Sequence, residues 1–320
     1  MAKILLTGAT GFIGMNLVPQ LRAMGHEVRC AVWKPAPWLK AEQVKINKIE
    51  SQTDWSAPLK DIDFVIHLAA KVHVLEGKHQ QSTSLEEYCR INSIATKEFA
   101  EQAAQHQVKR FIFLSSIKVI GERTAKDVFF TEECQENPEN PYAKSKLLAE
   151  QYLQDICQKT PMEIIILRPP LVYGPGVKAN FLRMMMLIAK GWPLPFGRVN
   201  NKRSFLYIDN LISAICTVLS HPAAANKTFL VADNENWSLS ELLRILSTEM
   251  KIKSRLFPFP IKLLTGVFSL LGLKGMNTRL LDSLLVSNNK IKTELGWEPP
   301  IRANEGIRHT VQWYQDENNC

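Results

Sequence analysis

KILLTGATGFIGMNL, residues 3–17, joins a short apolar run to a glycine-rich segment at the start of the chain. The apolar run predicts a buried parallel strand, and the pattern from Phe12 to Met24 is typical of a helix that is interrupted only by Pro19. The turn between them contains three regularly spaced glycines, Gly8, Gly11 and Gly14. Glycines in such a turn allow a tight bend and let a pyrophosphate approach the helix N-terminus, where the helix dipole favours an anion. The stretch therefore predicts a strand, a turn and a helix that bind a dinucleotide.

Later apolar runs predict that this first strand belongs to a parallel sheet. They are His26–Trp33, Asp63–Ala70 and RFIFLSSIKVIG at residues 110–121. Ligands of open α/β sheets bind beyond the carboxyl ends of the strands. We therefore expect four residues to line one crevice: Ala69, Ala70, Ser115 and Ser116. Ser116 is a candidate hydrogen-bond donor to a reacting oxygen, although a serine at a strand end is also a common turn former.

Tyr142 and Lys146 stand one helical turn apart in NPYAKSKLLAEQYL, residues 140–153. Residues at this spacing share a helix face, so the Lys146 ammonium is expected to lower the pKa of the Tyr142 phenol. A tyrosine with a lowered pKa can act as a general acid and base. The same pair occurs on ordinary amphipathic helices, and the glycine turn upstream is what favours the catalytic interpretation.

Eight ordered segments, spread over nearly the whole chain, resemble one family: the extended short-chain dehydrogenase/reductases, in particular the NAD-dependent epimerase/dehydratase group that includes UDP-glucose 4-epimerases. The segments are TGATGFIG, VIHLAA, INSIATKEFAEQA, FLSSIKVIG, PYAKSKLLAEQ, LRPPLVYGPG, KRSFLYIDNL and KTELGWEPPIRANEGIRHTVQWY. The resemblance implies hydride transfer at a carbon, usually C4, of a nucleotide-linked sugar, with UDP as the expected nucleotide.

The resemblance also assigns roles to residues. Ser116 and Tyr142 would contact the reacting oxygen of the sugar, and Lys146 would bind the nicotinamide ribose. Arg203 would grip the nucleotide diphosphate, and Asn180 would lie near the sugar phosphate. The expected cofactor site comprises Tyr142 and Lys146 with Gly8, Thr10, Gly11, Phe12, Ile13, Gly14, Lys34, Asp54, Leu68, Ala69, Ala70, Lys71, Asn92, Ser115 and Pro169. Asn92 is expected to be a buried polar support, and no metal ligand is expected.

Departures from the family pattern reduce the number of reactions that the resemblance allows. Dehydratases of the group carry an Asp-Glu pair after the catalytic serine or threonine, whereas this chain has Ile117 and Lys118. This favours an epimerase or a one-way reductase. Leu171 replaces the asparagine that contacts substrate in typical epimerases, which weakens a simple epimerase assignment. SSIKVIGE, KANF and PLPFGRVNNKRSF resemble a bacterial polysaccharide-synthesis subgroup that includes UDP-glucose 4-epimerases and reductases of a UDP-linked 4-keto-6-deoxy-N-acetylhexosamine.

The cofactor is expected to be NAD or NADP, and the sequence leaves the choice open. NAD-selective sites commonly place an acid at the end of the second strand, but no acid follows Val32 before Glu42. Lys34 is placed to meet a 2′-phosphate, although it is equally well explained as a solvated loop lysine. Asp54 resembles the family residue that contacts the adenine amine.

Composition agrees with a cytoplasmic enzyme. The chain has 320 residues, is 46% hydrophobic and has a net charge of +8, which suits two polyanionic ligands and needs no nucleic acid. No leader is expected because the first strand begins at Lys3. The six cysteines, Cys30, Cys89, Cys134, Cys157, Cys216 and Cys320, lack metal-ligand spacing and are expected to be reduced thiols.

One apolar stretch, Leu256–Leu273, is flanked by basic residues that include Lys274. It contains prolines and Lys262, so its uncharged part is shorter than the roughly 20 residues that span a bilayer. We interpret it as a packed helix of a second lobe, with a peripheral membrane patch as the alternative.

The expected fold is a Rossmann-type doubly wound parallel α/β sheet with a smaller substrate-binding lobe. The predicted NAD(P)-binding domain comprises residues 1–169 and about 205–233, and the lobe comprises about 170–204 and 234–320. The expected activity is a 4-epimerase of a UDP-hexose or UDP-N-acetylhexosamine, with a 4-keto reductase as the alternative. A noncatalytic NAD(P)-sensing regulator and a steroid or flavonoid-type reductase are more remote. A homodimer formed through the helices of Phe99 and Tyr142 is a family expectation.

Overall fold

A seven-stranded parallel sheet forms the centre of the protein. The structure is a computed structural model that describes residues 1–72, 84–270 and 280–318. The strands of this sheet are β1 (Lys3–Thr7), β2 (Glu27–Val32), β3 (Glu42–Lys45), β4 (Phe64–His67), β5 (Arg110–Leu114), β7 (Glu163–Arg168) and β10 (Thr228–Leu230). They lie in the order β10-β7-β5-β4-β1-β2-β3.

Helices cover both faces of this sheet because alternate residues of each strand point to opposite sides. Leu5 packs in one core with Phe99 and Leu153, whereas its neighbours Ile4 and Leu6 pack in the other. The helices are α1 (Phe12–Ala23), α2 (Ser56–Leu59), α3 (Leu85–Cys89), α4 (Ala95–Gln105), α5 (Pro141–Lys159), α6 (Ala179–Ala189), α7 (Ile208–Ser220), α8 (Leu239–Glu249), α9 (Ile261–Leu270), α10 (Asn289–Leu295) and α11 (Ala303–Asn318). The predicted doubly wound α/β fold is confirmed.

The strand order reverses at β1, which pairs with β2 on one side and β4 on the other. Chains that leave β1 and β4 therefore diverge and open a crevice at their carboxyl ends. The glycine turn after β1 and the small residues after β4 lie at this crevice. Helix α1 runs through Pro19 without ending, and its buried face includes Leu17 and Leu21.

A smaller set of strands lies beyond the main sheet. A three-stranded sheet contains β8 (Leu171–Tyr173), β9 (Arg203–Tyr207) and β11 (Asn236–Trp237), and a two-stranded sheet pairs β6 (Phe129–Phe130) with β12 (Leu285–Val286). The predicted substrate lobe, about 170–204 and 234–320, contains β8, β11 and β12 with α6, α8, α9, α10 and α11, and its boundaries remain a prediction.

The apolar stretch near residue 260 is only partly buried. Helix α9 buries Leu264 and Phe268 but exposes Leu263 and Leu270. Leu271–Leu273 and Lys274 lie outside the described residues, as does Cys320. Within the described ranges, no helix is both long and apolar enough to cross a bilayer.

Candidate active site

The glycine turn leaves no room for side chains where β1 meets α1. Gly8 has φ +76°, and a Cβ there would lie 2.9 Å from the Ala69 nitrogen. A Cβ on Gly14 would lie 2.3 Å from the Gly8 carbonyl oxygen, so α1 can approach β1 only with glycine at this position. Thr10 and Gly11 are exposed, and the first turn of α1 has neither a side-chain cap nor an acidic residue. Its N–H groups are therefore available to an anion.

The segment after β4 forms the other side of the crevice. The Leu68 N–H donates to the Thr7 carbonyl at 3.3 Å, and the Ala69 N–H donates to the Thr7 hydroxyl at 3.3 Å. His67 connects this hydroxyl to α4, with ring nitrogens 2.7 Å from Thr7 Oγ1 and 3.0 Å from Thr96 Oγ1. Burial lowers the pKa of His67 to about 3, so its ring is neutral at neutral pH.

Asn92 connects the crevice to the helix that carries Tyr142. It is 1% exposed, and its amide accepts from the Lys71 N–H at 2.7 Å and donates to the Lys71 carbonyl at 3.0 Å. The same amide donates to Ser145 Oγ at 3.1 Å, which in turn donates to the Tyr142 carbonyl at 2.7 Å. Asn92 lies in a π-helical turn, Arg90–Ile94, between α3 and α4. These contacts agree with its expected role as a polar support.

Helix α5 brings Lys146 to the carboxyl end of β5 and carries Tyr142 one turn earlier. Asn140 caps the helix by accepting from the Ala143 N–H at 2.9 Å, and Pro141 occupies the first turn. Lys146 is 2% exposed and donates through Nζ to the Leu114 carbonyl at 2.8 Å. Its ammonium lies 4.3 Å from the centroid of the Phe113 ring.

The ionisation of this pair differs from the sequence-based prediction. Burial lowers the pKa of Lys146 to about 7, while the carboxylate of Glu150 opposes this effect. The pKa of Tyr142 is raised above its usual value, first by burial and then by Tyr88. The prediction that Lys146 lowers the tyrosine pKa was therefore wrong for the chain's own groups, because burial and Tyr88 set the shift and both raise the pKa.

The two serines after β5 face different surroundings. Ser116 is half-buried at the cleft, where its Oγ accepts from the Lys118 N–H at 3.3 Å. Ser115 is 4% exposed, and its hydroxyl donates to the Glu150 carboxylate. The structure therefore turns the Ser115 side chain into the protein interior. Pro169, another expected cofactor residue, is buried and accepts from the Ile117 N–H at 3.0 Å.

Glu150 belongs to a buried ionic group that sequence reasoning missed. Its carboxylate binds the Arg168 guanidinium at 2.5 Å, and Arg168 also contacts Glu136 at 3.2 Å. Glu150 and Arg168 are 1% and 3% exposed. The available signal was the spacing of Glu150, which follows Lys146 by one further helical turn on the same face.

A cleft of about 300 Å³ begins at Ser116 and extends along the second set of strands. Asn180 and Arg203 line it, together with Lys118 and Glu122, two charged residues for which no ligand was predicted. Arg203 donates to the Asp282 carbonyl at 2.8 Å, and burial lowers its pKa to about 10, which leaves it charged at neutral pH. The apolar wall of the cleft consists of Ile117, Pro170, Leu171, Ala179, Met184, Phe205, Leu239, Leu242, Leu280 and Leu284.

A larger hollow of about 790 Å³ lies at the opposite ends of the strands. Four of its charged side chains pair with one another. Asp63 accepts from Lys109 at 2.8 Å, and Arg110 pairs with Glu163 at 2.6 Å. The smaller cleft, which contains Ser116 next to the crevice, is therefore the better candidate site.

Lys34 and Asp54 have no contact that identifies a ligand. Lys34 is exposed after β2, with its ammonium 4.8 Å from the Trp33 ring centroid. Asp54 is exposed and accepts from the Ser56 N–H at 2.9 Å. Hydrogen bonding to Ser56 lowers the pKa of Asp54. Their predicted roles with the cofactor stay predictions.

The crevice fits a dinucleotide on three structural grounds. The close approach of α1 at Gly14 needs a residue without a side chain, the N–H groups of α1 are uncapped, and the adjoining wall after β4 is made of small residues. In the described ranges, no group of three or more His, Cys, Asp or Glu side chains is placed to hold a metal ion. Cys30, Cys89, Cys134, Cys157 and Cys216 are free thiols.

Known proteins resemble the chain over its whole length. The profile of the NAD dependent epimerase/dehydratase family matches residues 4–232. A UDP-glucose 4-epimerase of Vibrio cholerae is 40% identical over 319 residues, which cover 99% of this chain and 97% of the relative.

Two solved structures share the fold. The UDP-glucuronic acid 4-epimerase of Bacillus cereus in complex with NAD has a TM-score of 0.78 at 22% identity, covering 98% of this chain and 99% of the other. The UDP-glucose 4-epimerase of Thermotoga maritima with UDP-glucose has a TM-score of 0.77 at 23% identity, covering 99% of both chains.

Proposed function

Because the chain belongs to the NAD dependent epimerase/dehydratase family, we propose that it is a 4-epimerase of a UDP-linked hexose or N-acetylhexosamine. It is an enzyme of the extended short-chain dehydrogenase/reductase type. The observation that carries the proposal is the 40% identity to a UDP-glucose 4-epimerase over 99% of the chain. The synthesis of a bacterial surface polysaccharide is the proposed setting.

The proposed roles are those that the family resemblance assigns to three residues. Tyr142 exchanges a proton with the C4 oxygen, and Ser116 donates a hydrogen bond to the same oxygen. Lys146 is fixed by the Leu114 carbonyl beside the crevice and contacts the ribose. NAD(P), when bound, accepts and returns the hydride at C4.

The cleft supports a nucleotide sugar as the substrate. Arg203 offers a guanidinium for the diphosphate, and burial strengthens its attraction to phosphate oxygens because the local dielectric is low. Asn180 adds an amide at the start of α6. The apolar wall that includes Phe205 and Leu242 suits the flat faces of the uracil and the sugar.

A one-way 4-keto reductase is the second candidate. Leu171 lines the cleft at the position where typical epimerases carry an asparagine, and this supports the alternative. An exposed Lys34 close to the end of β2 also suits NADP, which reductases commonly use.

The test begins with mass spectrometry, which identifies the cofactor that stays bound to freshly purified protein. The protein is then incubated with UDP-glucose and with UDP-N-acetylglucosamine. Bound NAD and formation of the 4-epimer of either sugar would support the epimerase. Protein that prefers NADPH and leaves both sugars unchanged would overturn the epimerase in favour of the reductase.

A further inference from the structure

The second lobe carries an exposed surface that the proposed reaction does not use. It forms where residues 192–197 run beside residues 255–257, with the Leu194 N–H donating to the Arg255 carbonyl at 3.1 Å. The Phe257 N–H donates to the Leu194 carbonyl at 3.1 Å, and α9 begins four residues later. We call the exposed side chains of these adjoining segments the apolar-basic face: Lys190, Trp192, Lys253, Arg255, Phe257, Lys262, Leu263 and Leu270.

The apolar members of this face are large and accessible. Helix α9 turns Leu264 and Phe268 inward, whereas Leu263 and Leu270, two turns apart on another side, are 58% and 88% exposed. Trp192 is 59% exposed on the neighbouring segment. Single exposed apolar residues are ordinary, but a group of them on adjoining segments marks an interaction surface.

The two segments that contribute to this face carry charge of one sign. The sequence has no Asp or Glu between Glu163 and Asp209, and none between Glu249 and Asp282. These two segments contain thirteen lysines and arginines, which exceeds the net charge of +8, so the rest of the chain is net negative. Four of these cations, Lys190, Lys253, Arg255 and Lys262, belong to the apolar-basic face, which contains no acidic side chain.

We propose that the apolar-basic face binds the surface of an anionic phospholipid membrane. Leucine and tryptophan side chains enter the boundary between headgroups and acyl chains, while lysines and arginines meet the lipid phosphates. Helix α9 has ten residues, so it lies along the surface and does not span the bilayer.

Other occupants fit the face less well. A second copy of the chain docked through the same face would bring lysines and arginines against each other. A nucleic acid would satisfy the charge, but it would leave Leu263 and Leu270 exposed. An anionic bilayer matches both the apolar and the basic members.

The test measures sedimentation of the full chain with two kinds of vesicle at low salt. One kind contains phosphatidylcholine alone, and the other contains equal amounts of phosphatidylcholine and phosphatidylglycerol. We expect binding only to the anionic vesicles, with release in 1 M salt, where the Debye length falls to about 3 Å. Failure to bind anionic vesicles, or equal binding to both kinds, would overturn the proposal.

Two variants separate the contributions of charge and of apolar contact to vesicle binding, and a third is the matched control. K253Q/R255Q removes charge, and L263S/L270S removes apolar contact; each should weaken binding to anionic vesicles roughly 10-fold or more. K60Q/K159Q removes the same charge from exposed positions on the main-sheet domain and should leave binding unchanged.

The variants also separate the membrane from other partners, and no assay of enzymatic turnover is needed. Equal loss of binding in K60Q/K159Q would overturn the proposal, because the effect would then depend on total charge. An oligomer that L263S/L270S dissociates, or binding to duplex DNA without binding to vesicles, would assign the face to a different partner and equally overturn it.

Discussion

Burial sets the charge of the residues that are proposed to move a proton. Lys146 has a pKa of about 7, so its charge changes in the physiological range, whereas the Tyr142 phenol has a raised pKa. The chain's own groups therefore do not make Tyr142 a phenolate. A positive charge next to the phenol, such as the oxidised nicotinamide carries, would favour its ionisation.

Replacing Tyr142 by Phe removes the proposed proton acceptor and keeps the ring that packs edge to face with Tyr88. We expect turnover to fall by about 10² to 10⁴-fold, with cofactor affinity nearly unchanged. Initial rates and fluorescence titration with the cofactor measure the two effects. Tyr152→Phe makes the same change further along α5, away from the cleft, and is the control. Retained turnover in Tyr142→Phe would refute the role of Tyr142.

The lowered pKa of His67 predicts that the protein loses stability in acid. Its pKa is lowered from 6.5 to about 3 in the folded chain, mainly by burial. As the pH falls below 6.5, the unfolded chain binds a proton that the folded chain rejects, and stability is lost. Between pH 7 and pH 5, this effect of His67 lowers the free energy of unfolding by about 2 kcal/mol.

Urea unfolding at pH 7 and pH 5 tests this contribution. The fall in unfolding free energy between the two values should be smaller in His67→Asn by about 2 kcal/mol. His106→Asn, at an exposed position, should show the same fall as the unchanged protein. An identical fall in all three proteins would show that His67 is not the group responsible.

Helix α5 is the element that places the proposed catalytic pair. Asn140 caps it, and the Asn140 amide also donates to the Glu122 carboxylate in the cleft. Helix α8 has a comparable cap, in which Ser238 Oγ accepts from the Glu241 N–H at 3.1 Å. The two caps should contribute similarly to stability, but only the Asn140 cap begins the helix that carries Tyr142.

We therefore expect Asn140→Ala and Ser238→Ala to lower the unfolding free energy by about 1 kcal/mol each. Only Asn140→Ala should also reduce kcat, because it loosens the turn that carries Tyr142. Denaturant unfolding and initial-rate kinetics are the measurements. Equal kcat values in the two variants would mean that the cap does not position the tyrosine.

Helices and strands were more predictable from the sequence than contacts between residues that are far apart in it. The turn from β1 to α1 could be predicted from local periodicity and from glycines, which the close packing of backbone at this turn requires. The Lys146 contact with the Leu114 carbonyl joins residues 32 apart in sequence, and helical spacing could not reveal it. The same holds for Ser115, whose hydroxyl turns inward because Glu150 and Arg168 meet behind it.

The molecule as a whole presents two surfaces of different chemistry. The crevice and the cleft gather polar groups at the carboxyl ends of the sheet, where a dinucleotide and a nucleotide sugar would meet. The apolar-basic face lies on segments that adjoin the cleft, since α6 contributes Met184 to the cleft and is followed by Lys190. Composition predicted the positive charge, but only the structure shows the exposed leucines beside it.

The most direct test of the proposed chemistry follows the hydrogen at C4. UDP-glucose that carries deuterium at C4 is incubated with the protein, and the products are examined by mass spectrometry and NMR. Oxidation and return of the same hydride predict a 4-epimer that keeps deuterium at C4 and gains none from solvent. A 4-epimer that has lost the label, or no 4-epimer from either UDP-glucose or UDP-N-acetylglucosamine, would refute the proposed epimerisation by hydride transfer at C4.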